Sequence, residues 1–128
     1  MMKIAWVFDL DKTLIYIDEK KNKETFFRNL EVISYDEKML SLLTQLKAKT
    51  EAVFILTGRH PDLQRKIANM FDLRIERIKC RQNDLKKEEE KLFVQGTKEE
   101  EKLFFERMND WKVSVLNQMA IFYNLVIY

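Results

Sequence analysis

The chain has 128 residues, 46% of them hydrophobic and 34% charged, the composition of an ordinary folded domain rather than a disordered one. Its 23 basic and 21 acidic residues leave a net charge of +2, so charge alone makes no case for a nucleic-acid or membrane surface. One cysteine, Cys80, closes no intrachain disulfide and points to a reducing compartment, as a small buried residue at a strand end. The apolar run at 4–8 is too short for a signal-peptide core. No stretch approaches the ~20 apolar residues of a membrane span. A cytoplasmic (intracellular) protein with no membrane partner is therefore expected.

Short apolar runs alternate with helical patterns along the chain, the mark of a parallel sheet flanked by helices. Residues 3–8 (KIAWVF) read as a strand buried on both faces. Residues 15–35 are less regular, with a charged stretch at 18–23, and suggest a small flap. Ser34 and Glu37 have the spacing of a capping box and predict a helix over 36–49, with Met39, Leu40, Leu42, Leu43 and Leu46 on its apolar face. Residues 52–56 (AVFIL) form a second buried strand. Pro61 suits the first turn of a helix reaching about residue 71. Residues 73–80 read as a weaker third strand, and 81–96 as a charged insertion rather than a second domain. Thr97 and Glu100 make another capping box, opening the longest helix, whose Phe104, Met108, Trp111, Val115 and Met119 fall on one core-facing stripe. Residues 124–128 (NLVIY) read as a last buried strand.

The chemistry concentrates at two strand ends. After the first strand come Asp9, Asp11 and Thr13, which an extended backbone directs to one side. Two carboxylates so close repel each other unless a cation lies between them, and magnesium takes oxygen ligands while keeping places for water and phosphate. Ligands of parallel sheets bind at the carboxyl ends of the strands, where these residues stand. The second strand ends in Thr57-Gly58-Arg59. There a hydroxyl and backbone amides could hold phosphate oxygens. Either cluster alone is explained by turn formation; both together, in this order, favour a phosphate site.

Residues 7–14, an apolar strand followed by Asp-x-Asp-x-Thr-Leu, resemble the first motif of the haloacid dehalogenase (HAD) superfamily, and residues 54–59 resemble its second. The resemblance implies a Rossmann-like three-layer α/β sandwich with a central, mainly parallel sheet, a single domain over 1–128, and no cap domain. It implies that Asp9 attacks phosphorus and that Asp11 handles protons. Mg2+ would be bound through the Asp9 carboxylate and the Asp11 backbone carbonyl. Thr57, with Gly58, Arg59 and Thr13 beside it, would hold the substrate. The family's third motif is a lysine, for which Lys102 is preferred over Lys98. Its fourth is an acid directly after the next strand; the sequence reaches Tyr128 where that acid is expected, and neither Asp84 nor Asp110 replaces it convincingly. His60 reads as a helix-start residue beside the site.

The expected function is thus hydrolysis of a phosphomonoester. The small size and the Thr-Gly-Arg turn resemble the capless Swiss Army Knife RNA repair-like HAD group, so the phosphorylated partner could be macromolecular. A nucleic-acid end is a candidate, though no basic and aromatic track supports it. The alternatives are a degenerate HAD-like module that binds a phosphorylated ligand or protein partner, and, ranked last, a receiver-like phospho-acceptor domain.

Overall fold

In a computed structural model, which describes residues 2–18, 20, 30–81 and 97–128, the first apolar run forms strand β1 (Ile4–Asp9). A tight turn then leads into an antiparallel hairpin of β2 (Ile15–Ile17) and β3 (Val32–Tyr35). This hairpin occupies both ends of the expected flap; residues 19 and 21–29 within it lie outside the described residues. So does nearly all of the expected charged insertion (82–96), Asp84 included.

Helix α1 (Glu37–Ala48) starts where the pattern predicts, but its cap differs. Ser34 belongs to β3, and Asp36 takes the capping position, its carboxylate accepting the Met39 N–H at 3.0 Å. Only the residue directly before the helix can reach the amide three positions on, which decides for Asp36 over Ser34. Strand β4 (Ala52–Thr57) is buried almost throughout. A 3-10 turn at Pro61–Leu63 feeds α2 (Gln64–Phe71). The expected strand over 73–80 is shorter: Ile75–Arg77 is a second 3-10 turn, and only Ile78–Cys80 forms β5. Helix α3 (Lys98–Phe122) is the longest, and β6 (Leu125–Ile127) follows it.

The four strands β5-β4-β1-β6 form one sheet, with every neighbouring pair parallel. Among the described residues this is an α/β fold with three helices, and no helix is long and apolar enough to cross a membrane.

The pleat sorts side chains onto two faces. On one, Phe8, Val53 and Ile55 pack with Leu43 and Leu46 of α1 and Ile67 and Phe71 of α2. On the other, Ala5, Val7, Phe54 and Leu56 meet Trp111 and Met119 of α3. Alternate residues of β1 and β4 are thus claimed by different helices, which accounts for their nearly continuous apolar character. Leu43 has 1% of its surface exposed, so truncating it leaves a cavity that the sheet cannot collapse into. Leu43→Ala should lower stability by about 2–5 kcal/mol in urea unfolding. Ile33→Ala, at a position 69% exposed on β3, should change it by less than about 0.5 kcal/mol.

Candidate active site

Because all four strands are parallel, their carboxyl ends lie along one edge of the sheet. Asp9 is the last residue of β1 and pairs with Leu56, so it stands one position before Thr57 on the adjacent strand. Beyond Asp9 the chain coils at once. The Leu10 carbonyl accepts the amides of Thr13, Leu14 and Ile15 at 3.4, 3.0 and 3.1 Å, while Lys12 takes a left-handed conformation (φ 63°). Leu10 and Leu14, both fully buried, anchor this turn and leave Asp9, Asp11 and Thr13 at the rim. The Leu10 amide closes back on Asp9, donating to its Oδ1 at 2.8 Å.

Across from β1, the Lys112 ammonium lies 3.4 Å from the same Asp9 oxygen. Its side chain is only 16% exposed, against 36% for Asp9, so the pair is partly shielded from solvent. Lys102, the lysine expected at this site, is instead exposed on α3. Ten residues separate the two, about 15 Å along a helix axis, so Lys102 cannot take the same place. Lys98 lies farther still toward the start of the helix and is likewise exposed. A signal for Lys112 was present in the pattern. It sits four residues after Met108 and three before Val115, at the border of the apolar stripe, where a lysine reaches past the core toward the sheet end. Asp110, by contrast, is exposed on the helix.

Asp11 has a different partner. The Arg59 guanidinium, with 0% of its side chain exposed, donates to Asp11 Oδ1 from Nη2 at 2.6 Å and from Nε at 3.2 Å. Arg59 was expected to bind substrate; the structure pairs its guanidinium with Asp11, which gives a buried charge a fixed counter-charge. Thr57 is equally buried, and its hydroxyl accepts the Arg59 amide at 3.3 Å. A hydroxyl that accepts one hydrogen bond still has a proton to donate. Gly58 matters for space rather than backbone freedom: a Cβ there would meet the flexible end of the Met108 side chain, which would have to move. His60 caps the following 3-10 turn through Nδ1, which accepts the Asp62 N–H at 3.2 Å.

Asp9 and Thr13 open into a cavity of about 430 Å³, whose other walls include Trp6, Met39, Leu42 and Tyr128. The indole Nε1 of Trp6 is buried without an acceptor among the described residues. Tyr128 was not singled out by any motif. Burial of its hydroxyl, then the charge of Asp9 and a hydrogen bond to it, push this phenol up to about 12. Cys80, at the end of β5, is pushed up to about 12 by burial, against the opposing pull of Arg59, and stays a neutral thiol.

Among the described residues no three carboxylate, imidazole or thiol groups gather into a metal cluster. The oxygen donors at this end of β1 do suit a hard cation that keeps most of its water, since such an ion needs only one or two carboxylates. Compared with protein-family models, with curated proteins and with solved structures, the chain matches none.

Two outcomes test this geometry. Asp11→Asn should cost about 1.5–3 kcal/mol in urea unfolding, because it withdraws the ionised acceptor from a buried guanidinium, while Asp9→Asn should cost less than about 1 kcal/mol. In an ultraviolet titration, the phenol lost in Tyr128→Phe should be the one ionising near 12, and Asp9→Asn should bring it back toward the ordinary tyrosine value. The raised value means that Tyr128 favours the folded state fully below pH ~10, and that this contribution disappears as pH rises toward ~12.

Proposed function

We propose that the chain is a magnesium-dependent phosphohydrolase of the HAD type, with a Rossmann-like three-layer fold and Asp9 as nucleophile. The observation that carries this reading is the pairing of Asp9, at the carboxyl end of a central parallel strand, with the half-buried ammonium of Lys112, next to an Asp11 pinned by Arg59. A carboxylate attacks a phosphate poorly, since both are negative. Lys112 meets that difficulty by placing a positive charge where the transferring phosphoryl group must sit.

In the proposed reaction an oxygen of Asp9 attacks phosphorus and the ester P–O bond breaks, leaving an aspartyl-phosphate. Asp11 delivers a proton to the departing oxygen. Arg59 occupies its Oδ1, which fixes the carboxyl group and leaves Oδ2 for the proton. Asp11 then takes a proton from water as that water attacks phosphorus, releasing phosphate and restoring Asp9. The Thr57 hydroxyl donates to a phosphoryl oxygen. The carboxylate of Asp9 and the backbone carbonyl of Asp11 would hold the magnesium ion. When bound, the ion neutralises phosphate charge and orients the ester. The apolar walls beside Asp9 and Thr13 receive the organic part of the substrate.

A second reading has one observation in its favour: both carboxylates already have protein cations, as a phosphate-binding module without turnover would require. Kinetics separate the two. With a generic aryl phosphate and magnesium, Asp9→Asn should abolish turnover while preserving the fold. Lys112→Ala should lower kcat/KM by about 10²–10³-fold, the scale of one lost charge-stabilising donor, and Lys102→Ala should leave it within about twofold. No magnesium-dependent phosphate release by the parent chain would favour the binding module; equal loss from the Lys102 and Lys112 variants would overturn the assignment of Lys112.

A further inference from the structure

A second cavity, of about 590 Å³, lies between α3 and the β4–β5 side of the sheet, and no residue lines both it and the Asp9 cavity. Its size is that of a small-molecule site. Phe54, Trp111 and Tyr123 give it aromatic walls, with Phe54 and Tyr123 edge-to-face at 5.6 Å between ring centroids. Ser114 and Gln118 supply polar groups from α3, and Lys79 supplies a charge from β5. Among the described residues, none of those lining it is acidic.

Two cations converge on this aromatic wall. The Arg77 guanidinium carbon lies 4.7 Å from the centroid of the Phe54 ring, and the Lys79 ammonium 6.0 Å. Among the described residues neither has a carboxylate partner, and Arg77 Nη1 is buried with no acceptor at all. Arg77 does not line the cavity and adds positive charge at the same ring, while Lys79 does line it and can meet an anion there. The Cys80 thiol in the same wall is held neutral by burial and adds no competing negative charge.

We infer that this cavity binds a small planar aromatic anion, its ring against Trp111 and Phe54 and its acidic group toward Lys79. Aromatic walls favour a flat ring over an aliphatic chain because stacked and edge-to-face contacts add to burial. The Lys79 ammonium in the wall favours a carboxylate, sulfonate or phosphate over a neutral polar group. The site is independent of phosphate chemistry at Asp9 and stands or falls separately from it.

The test uses the full 128-residue chain with 2-naphthoate as the probe and 2-naphthamide as its neutral counterpart, followed by calorimetry and by Trp111 fluorescence. Trp6→Phe serves as the background for the fluorescence measurement. Saturable binding of naphthoate with Kd about 1 mM or tighter is expected, with the amide about tenfold weaker or more. Lys79→Gln should weaken the acid by about fivefold or more and leave the amide unchanged. Ser114→Trp, at an exposed helix position, should fill the cavity and remove binding of both; Gln118→Trp provides the same obstruction from the next turn should the first variant fold poorly by circular dichroism. Asp9→Asn should bind naphthoate like the parent. Absence of saturation at millimolar probe overturns the proposal. So does equal affinity for acid and amide, or undiminished binding in folded tryptophan variants.

Discussion

A guanidinium with no exposed surface governs the geometry of this site. Burying Arg59 calls for a counter-charge, which Asp11 brings to it because the chain coils immediately after β1. The same turn fixes the neighbouring groups. Leu10 and Leu14 go into the core, Asp9 keeps its Oδ1 on the Leu10 amide, and Thr13 is carried to the cavity rim. On the adjacent strand, the Arg59 amide occupies Thr57, so both expected phosphate-site segments are joined by one residue. The register of β1 on β4 makes that junction possible, since it sets Asp9 and Thr57 at the same edge.

The electrostatic expectation from sequence was that Asp9 and Asp11 would need a cation between them. The chain supplies two of its own, one on each carboxylate. Two carboxylates and two cations leave the site close to neutral. Under the proposed reading, a phosphate dianion beside Asp9 adds about two negative charges, so magnesium answers the charge of the substrate rather than that of carboxylates already paired, and metal affinity should follow phosphate binding.

Elements with strong periodicity were legible in the sequence. The two buried strands, the α1 region and the core stripe of α3 all lie where the apolar pattern places them, because burial on a sheet face and helical spacing leave direct marks on residue choice. What the pattern could not resolve were choices among chemically similar neighbours. Ser34 and Asp36 both suit a cap, and only the position of the first helical residue separates them. Lys102 and Lys112 are both lysines on one helix, and which of them meets Asp9 depends on how far α3 slides along the sheet. Arg59 looks like a substrate ligand in sequence because burial of a charge has no local signature. Tyr128 acquires its role only through the pairing of β6 with β1.

Lys112 also owes its place to the packing of α3. Gly58 presents no side chain, and the flexible end of Met108 occupies the space a Cβ would take, so a larger residue there would make that side chain move. From this point the helical repeat does the rest. Three residues on, Trp111 enters the core against Ala5, Val7, Phe54 and Leu56; one residue further, Lys112 is rotated by about 100° toward the end of β1. The Thr-Gly-Arg turn thus acts on both halves of the candidate site. Arg59 holds Asp11 directly, while Gly58 leaves room for the Met108 side chain on the helix that brings Lys112 to Asp9.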